Sequence, residues 1–393
     1  MARLLFMSDF TESYAANLLK GILRYSRLHD PWVVCKMPLA FRDKRGILEV
    51  ADFASQWKAD AIIGQFYDTD KVDVFRQRGI IAIAQDFQSR FTTIPNITGE
   101  HRRGGQLCAD YFIRRGYHHF AFYGLKGMVW SDERKEGFCQ EIAKRVKNSS
   151  LFLQEEMNLD DTWWYNLSEL TAWLDSLPKP VAILACDDNR AYHIVEACQQ
   201  TRRMRIPDDI AILGIDNDES VCLLSSPQLS SLNQGTEEAG YETARMIDLT
   251  LQRPVEKRFQ NLHDVINKVT FITTRNSTDA FIHQNRQISQ ALSYISKNIY
   301  KPITVDAILG EITMSRRNFE TLFRKEMNVS IYQYVLNVKV EKMKELLMSG
   351  YSIQQVAQEL GIDNLKGMSR TFKQHVGMTM TEFILTSPSP SGQ

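Results

Sequence analysis

A cluster of side chains able to hydrogen-bond to DNA bases lies near the carboxyl end of the chain. Arginine can donate two hydrogen bonds to one guanine, and asparagine can pair in the same way with adenine. The cluster forms the polar face of a predicted helix whose other face carries Phe319, Leu322 and Phe323. Its members are Ser315, Arg316, Arg317, Asn318 and Thr321. Polar and basic residues at the start of such a helix are typical of a recognition helix in the major groove, although an ordinary solvated face stays open as an alternative.

A second cluster of the same kind follows downstream. It consists of Lys366, Ser369, Arg370 and Lys373. These side chains lie on one face of another predicted helix, and we expect them to contact DNA. Docking on the phosphate backbone without base readout is the alternative for this cluster.

Each cluster lies in the second helix of a predicted helix-turn-helix unit, one over residues 304–326 and the other over 352–375. Thr304 and Ser315 are predicted N-caps in the first unit. Ser352 with Gln355 forms a predicted capping box in the second. The helix between the units has its own capping-box pattern at 330–333, and we expect it to hold the two recognition helices about one DNA turn, ~34 Å, apart.

The first 275 residues alternate short apolar runs with amphipathic segments. Runs that are apolar throughout indicate strands of a parallel sheet covered on both faces. The predicted strands are 3–7, 32–36, 61–65, 80–85, 119–124, 151–154, 181–186, 210–215 and 269–273. The predicted helices include 14–28, 102–115, 132–146, 189–200 and 236–251. This alternation predicts an α/β fold of doubly wound parallel sheets, and the number of strands favours two lobes with a cleft between them.

Beyond residue 275 the strand pattern ends and helical periodicity takes over. Residues 276–286 are predicted to be a linker after an α/β domain of residues 1–275. Residues 287–386 are predicted to form an all-α domain that contains both helix-turn-helix units. The last residues, 387–393, are rich in Ser and Pro and are predicted to be disordered.

Charge is distributed unevenly along the 393 residues, which include 47 Lys and Arg and 47 Asp and Glu. From Ala280 onward there are 13 basic and 9 acidic residues, which leaves 34 and 38 before it. A basic segment on an acidic body favours a polyanion partner for that segment. No apolar run reaches the ~20 residues of a membrane helix, the first residues do not match a secretory signal, and six irregularly spaced cysteines are typical of reduced thiols. We therefore expect a cytoplasmic protein without a membrane partner.

The sequence contains none of the common catalytic or cofactor-binding motifs. His118 and His119 enter a predicted strand and would point to opposite faces, so they cannot chelate one metal ion together. Asp187 and Asp188 diverge at a strand end in the same way, with no nucleophile nearby. We predict no catalytic residue, no metal and no cofactor.

The carboxyl-terminal domain resembles the DNA-binding domain of AraC-type transcription regulators over residues 288–384. The matching positions include Thr304, Ser315, Phe319, Phe323, Ser352, Gly361, Arg370, Phe372 and Gly377. Thr321 departs from the family pattern, because Arg is common there. The resemblance therefore implies the fold and two DNA-contacting helices without giving a map of base contacts.

The α/β domain resembles the periplasmic-binding-protein-like sensor of LacI-type regulators. The resemblance rests on residues 119–124 (HFAFYG), Arg134, residues 186–188, residues 207–217 (PDDIAILGIDN) and Gln234. LacI-type proteins carry their helix-turn-helix at the amino terminus, whereas a predicted strand starts here at residue 3. A sensor of this type followed by an AraC-type domain resembles the xylose-operon type of regulator.

The resemblance implies a ligand-sensing domain that binds a pentose, such as xylose, between its lobes. Asp, Asn and Arg side chains pair well with sugar hydroxyls, and an aromatic ring can cover the C–H face of a sugar. The candidate ligand-binding residues are Asp216, Asn217, Arg134, Asp188 and Trp130, with Asp9, Tyr14 and Asp86 as second choices from the first lobe. Three alternatives stay open: Arg134 pairing with a local carboxylate, Trp130 packing at the surface, and Asp187 or Asp188 capping a helix.

The resemblance further implies a homodimer on double-stranded operator DNA that activates pentose-catabolic genes through RNA polymerase. A regulator of the same architecture that senses another small metabolite, such as a nucleobase, is one alternative. An α/β sugar-modifying enzyme with a regulatory tail is the other, disfavoured by the lack of a catalytic constellation.

Overall fold

The described part of the protein consists of two six-stranded sheets and helices of varied length. The computed structural model describes residues 1–11, 13–156, 165–201, 203–254, 257–282 and 285–386. The predicted disorder of 387–393 lies outside the described residues, as do positions 283 and 284 of the predicted linker.

The first sheet is entirely parallel. Its strands are β1 (Arg3–Ser8), β2 (Val33–Pro38), β3 (Ala61–Gly64), β4 (Ile81–Gln85), β5 (Asn96–Gly99) and β11 (Val265–Asn267). Their order across the sheet is β11-β5-β4-β3-β1-β2. We call this sheet and its covering helices the first lobe.

The second sheet is parallel except for one edge. Its strands are β6 (His119–Leu125), β7 (Ser150–Glu156), β8 (Val181–Ala185), β9 (Ile210–Ile215), β10 (Ser230–Gln234) and β12 (Val269–Thr273). The order is β12-β10-β9-β8-β6-β7, and β12 pairs antiparallel to β10. This sheet and its helices form the second lobe.

Helices cover both faces of each sheet, which confirms the predicted α/β class. Strands β4 and β8 are buried at every position, as expected for apolar runs in the middle of a covered sheet. The first lobe carries α1 (Ser13–Leu28), α2 (Leu39–Gln56), α3 (Asp73–Gln77) and α9 (Thr236–Leu251). The second carries α4 (His101–Arg114), α5 (Val129–Arg145), α6 (Leu167–Ser176), α7 (Asp188–Thr201) and α8 (Glu219–Cys222).

The chain crosses between the lobes three times, after β5, after β10 and after β11. The three crossings are hydrogen-bonded to one another. Glu100 N donates to the Asn267 carbonyl at 3.0 Å, and Gly235 N donates to the Lys268 carbonyl at 2.8 Å. Asn267 Nδ2 also donates to Thr236 Oγ1 at 3.0 Å. The crossings therefore form one hinge.

Strands β5, β10 and β11 were not predicted from the sequence. Each of them carries polar residues, as in Asn96–Gly99 and Ser230–Gln234, and lacks the uninterrupted apolar run used to predict strands. They are the three strands that lead into the hinge, where backbone hydrogen bonds and the Asn267 side chain join the crossings.

The carboxyl-terminal part is all-α. Its helices are α10 (Arg286–Lys297), α11 (Val305–Gly310), α12 (Arg316–Met327), α13 (Ile331–Met348), α14 (Ile353–Glu359), α15 (Leu365–Val376) and α16 (Met380–Thr386). Phe319 and Phe323 lie in one core and Phe372 in another, and α13 contributes to both. Within the described residues no helix is both long and apolar enough to cross a bilayer.

The predicted caps of these helices have different outcomes. Thr304 accepts from Ala307 N at 3.1 Å, and Ser352 with Gln355 forms the complete capping box. Ser330 accepts from Gln333 N at 3.1 Å, whereas the Gln333 amide donates to Asn337. Ser315 occupies the N-cap position of α12, but its side chain makes no capping hydrogen bond.

The segment that leads to the helical part docks on the carboxyl end of α4. Ile282 N donates to the Arg115 carbonyl at 2.7 Å. The Arg115 guanidinium lies 5.1 Å from the ring centre of Phe281, and that ring packs against the core around α10 and α12. Gly116 has a φ of 83°, and a Cβ there would lie 1.7 Å from the Ile282 carbonyl oxygen. The close approach therefore requires glycine.

Candidate functional site

A cavity lies between the two lobes at the carboxyl ends of their strands, the usual position of ligand sites in open α/β sheets. The first lobe contributes Ser13, Tyr14, Gln65 and Asp86. The second contributes His101, Trp130, Arg134, Asp187, Asp188, Asn189, Asp216 and Asp218. Six of the eight predicted ligand-binding residues therefore line one cavity.

Arg134 is the central cation of this cavity. It projects from α5, is only 3% exposed, and donates to the Cys186 carbonyl and to Asp216 Oδ1, the latter at 3.4 Å. Its guanidinium lies 5.0 Å from the ring centre of Trp130, in cation–π range. Arg134 thus pairs with a local carboxylate, one of the alternatives raised by the sequence, while still lining the cavity.

Asp216 directly follows β9 and has a backbone φ of 104°. Positive φ at a residue other than glycine is strained and persists only where neighbours enforce it, commonly at functional sites. Here Asp216 Oδ1 accepts hydrogen bonds from Arg134 and Gln234. Burial raises the pKa of the Asp216 carboxyl, and the Arg134 charge opposes that rise.

Asp188 opens helix α7 and ties it to two other segments. Its carboxylate accepts from Ser231 Oγ at 2.6 Å and from Asp218 N at 2.7 Å. The helix cap comes instead from Asp187, which accepts from Arg190 N at 2.8 Å. Burial, and then the charge of Asp216, raise the pKa of Asp188 well above its usual range.

The Asp86 carboxylate accepts four hydrogen bonds. It accepts from Thr98 Oγ1 at 2.6 Å, from His101 Nε2 at 2.9 Å and from Arg90 Nε and an Arg90 terminal nitrogen at 3.2 Å. Burial opposes its ionisation, but the hydrogen bonds from His101 and Arg90 outweigh burial and lower the pKa of Asp86. Asp86 is therefore a carboxylate held in place by both lobes.

The remaining predicted ligand-binding residues differ in position. Tyr14 lines the cavity from the start of α1, and burial raises the pKa of its phenol far above the usual value. Asp9 does not line the cavity, and its carboxylate accepts from the Thr11 amide and hydroxyl. Asn217 lines a neighbouring surface pocket instead, although its Oδ1 atom is buried without a partner among the described residues.

Gln65 and His101 were missed by the sequence analysis. Gln65 directly follows β3, so the rule that selects strand ends would have found it. His101 opens α4 one residue beyond the unpredicted strand β5, so no predicted strand end marked its position. Among the described residues, no group of three or more His, Cys, Asp and Glu side chains is placed to hold a metal ion.

The predicted DNA-contacting side chains are exposed on two helices. On α12, Arg317 and Asn318 are exposed, and Arg316 pairs with Asp306 at 2.8 Å and Glu320 at 2.9 Å. The exposed Thr321 uses its hydroxyl to donate back to the Arg317 carbonyl. On α15, all four members of the second cluster are exposed: Lys366, Ser369, Arg370 and Lys373.

Two family models match the chain. One describes a periplasmic binding protein-like domain and matches residues 109–278, and the other describes a helix-turn-helix domain and matches residues 309–385. The chain is 30% identical over 384 residues to the xylose operon regulatory protein of Haemophilus influenzae, with 95% of each chain covered. It is 31% identical over 273 residues to the protein of that name in Escherichia coli K12, with 68% of each chain covered.

Solved structures of similar fold include other transcription regulators. A xylose-binding transcription activator superimposes with a TM-score of 0.58 and 24% identity, covering 99% of this chain and 98% of that one. A LacI family transcriptional regulator from Enterococcus faecium with bound ribose gives a TM-score of 0.57 and 18% identity over 70% of this chain and 98% of that one. At these identities the likeness shows a common fold.

Proposed function

This chain belongs to the family of xylose operon regulatory proteins, which are DNA-binding transcription regulators, and we propose from that premise that D-xylose is its effector. The observation that carries the proposal is the cavity between the lobes. Residues from seven separate segments of the chain meet there, and they offer the carboxylates, guanidinium and aromatic ring that a small sugar requires.

In this proposal Arg134 and Asp216 bind adjacent sugar hydroxyls, because a fixed cation and a carboxylate supply donors and acceptors side by side. Asp188 accepts from a further hydroxyl. Trp130 covers the C–H face of the ring. Such groups can pair with buried sugar hydroxyls, each of which would cost about 1–3 kcal/mol if left unpaired.

Effector entry requires the lobes to move. The cavity has a free volume of about 40 Å³, which is space for roughly three water molecules. A sugar therefore enters only after the hinge opens and is enclosed when it closes. The effector shifts this balance only if it binds the closed form more tightly than the open form.

We propose that residues 1–275 act as the sensor, 276–286 as the linker and 287–386 as the DNA-binding domain. The α12 and α15 clusters would contact successive major grooves ~34 Å apart. A cytoplasmic homodimer would place two such domains on repeated operator half-sites, next to RNA polymerase, and so activate transcription. Because the family consists of regulators, we propose that the cleft releases its sugar chemically unchanged.

Thermal or denaturant unfolding with a panel of pentoses and nucleobases tests the proposal. D-xylose at 100 times its dissociation constant should stabilise the protein by about 2.7 kcal/mol. Asp216→Asn should abolish the shift, because the amide cannot accept on both atoms, whereas Asp208→Asn, at an exposed carboxylate remote from the cavity lining, should retain it. A wild-type protein that responds to nucleobases and to no pentose would replace the sugar with another metabolite.

A further inference from the structure

Arg90 connects the two lobes across the cleft. It lies in the loop between β4 and β5 of the first lobe, and Glu133 lies on α5 of the second lobe. The two terminal nitrogens of Arg90 donate to the two carboxylate oxygens of Glu133 at 2.9 and 2.8 Å. This is the planar two-point geometry in which arginine and carboxylate pair most strongly.

The same guanidinium also holds a carboxylate that lines the cavity. Arg90 Nε and one terminal nitrogen lie 3.2 Å from the two oxygens of Asp86. One arginine therefore binds Asp86 of the first lobe and Glu133 of the second at the same time. When the lobes separate, Arg90 must lose one of them.

A backbone hydrogen bond lies beside this ion pair. Val129 N, at the start of α5, donates to the Phe87 carbonyl of the first lobe at 3.0 Å. The Phe87 ring packs against the hydrophobic core of the second lobe. The contact is thus both polar and apolar, and it lies between the loop after β4 and the first turns of α5.

The charges and burial of the pair favour a persistent contact. The side chains of Arg90 and Glu133 are 30% and 20% exposed, so water screens the pair less than an ordinary surface ion pair. The hydrogen bond from Arg90 lowers the pKa of Glu133, which keeps the carboxylate ionised near neutral pH. His101 of the second lobe also bonds to Asp86, so both lobes fix this carboxylate.

We propose that Arg90 and Glu133 form a clasp that keeps the lobes closed on the bound sugar. The proposal rests on the sugar-binding function proposed above and adds residues that do not line the cavity. Since the clasp must break before the effector leaves, it slows dissociation, and because the sugar enters only after the hinge opens, the clasp must also break before association.

Stopped-flow binding of D-xylose, followed by tryptophan fluorescence, tests this in the full-length protein. Glu133→Gln should raise the dissociation rate about tenfold or more, because losing one partner of such a charge pair acts mainly on dissociation, and should leave the association rate equal or faster, because the sugar enters the open form. Arg90→Lys should act in the same direction, since lysine cannot hold two carboxylates in a fixed fork. Glu133→Asp should recover part of the slow dissociation.

The matched control is Glu136→Gln. Glu136 lies on the same helix and pairs with Arg102 of the same lobe, so its removal takes away a comparable charge without touching the contact between lobes. Its dissociation rate should equal that of the wild type. A Glu133→Gln protein with unchanged dissociation, or one that only unfolds more easily, would overturn the clasp while leaving sugar binding intact.

Small-angle scattering without sugar gives a second readout that does not depend on the effector. Glu133→Gln should increase the radius of gyration relative to the wild type and to Glu136→Gln, because the closed form loses the ion pair between Arg90 and residue 133. If the wild type binds no D-xylose, the proposed effector is wrong and scattering alone decides about the clasp. An unchanged radius of gyration would then reject it.

Discussion

At the scale of single residues, the cleft combines backbone strain, burial and charge at Asp216. Its left-handed backbone directs the carboxylate toward Arg134 and Gln234 at the end of a fully buried strand. Such a conformation survives only because the surrounding structure enforces it. The position of this carboxylate is therefore set before any ligand arrives, which lowers the cost of ordering the site on binding.

Arg317 is the residue on α12 from which we expect the largest contribution to DNA binding. It is exposed and has no ion-pair partner among the described residues, whereas Arg316 is held by Asp306 and Glu320. If its side chain contacts guanine at two points, Arg317→Ala should weaken binding to a duplex selected from a random pool by about 1–3 kcal/mol. Fluorescence anisotropy against that duplex and an unrelated one measures the effect.

The control for this prediction is Lys325→Ala, at an exposed cation in the last turn of the same helix. It should weaken binding to both duplexes slightly and equally. An Arg317→Ala protein that loses the same affinity for both duplexes would make Arg317 a phosphate contact without a role in sequence readout.

The sequence predicted the cleft residues that belong to recognisable strands. Arg134, Asp188 and Asp216 were found because they match a sensor family and follow or face apolar runs. The contacts of Arg90 with Glu133 and of Asp86 with His101 were not predictable, because they join residues from different lobes. Distances of that kind depend on the hinge angle, which no local pattern encodes.

At the scale of helices and strands, an element could be predicted when its own residues had a clear apolar or amphipathic pattern. Strand β9 and helix α9 have the predicted bounds, since one is uniformly apolar and the other strongly amphipathic. Strands β5, β10 and β11 were not predicted because polar residues interrupt their apolar runs. Capping patterns gave the start of α12 and α14, but only tertiary structure shows which cap makes its hydrogen bond.

The N-cap serines of α12 and α14, Ser315 and Ser352, allow the contribution of a capping hydrogen bond to be measured. Ser352→Ala should lower the free energy of unfolding of the DNA-binding helices by about 1 kcal/mol, because it removes the hydroxyl half of a complete capping box. Ser315→Ala should cost clearly less, since that side chain makes no capping bond. Urea unfolding monitored by circular dichroism measures both. Equal losses would show that the hydroxyls act in some way other than capping.

At the scale of the whole molecule, the attachment of the helical part to α4 can be tested with two glycines. Gly116 and Gly79 both have left-handed backbones, with φ of 83° and 74°. A Cβ at Gly116 would collide with the Ile282 carbonyl, whereas a Cβ at Gly79 would meet no described atom within 4 Å. Alanine at either position should cost about 1 kcal/mol of stability from backbone strain.

Only Gly116→Ala should also release the segment around Ile282. Amide hydrogen exchange should then show faster exchange at Ile282, whose N–H otherwise donates to the Arg115 carbonyl. Unchanged protection in Gly116→Ala, or equal loss of protection in Gly79→Ala, would mean that the docking does not depend on this close approach.

Helix α4 has one end in the cleft and the other at the docking point of the linker. His101, its first residue, bonds to Asp86 of the first lobe, and Arg115, directly after its last residue, bonds to Ile282. Fourteen residues of helix extend about 21 Å and, packed in a protein interior, barely compress. One rigid helix thus connects the cleft with the segment that leads to the DNA-binding helices. A hinge motion that shifts α4 at His101 also shifts its other end at Arg115.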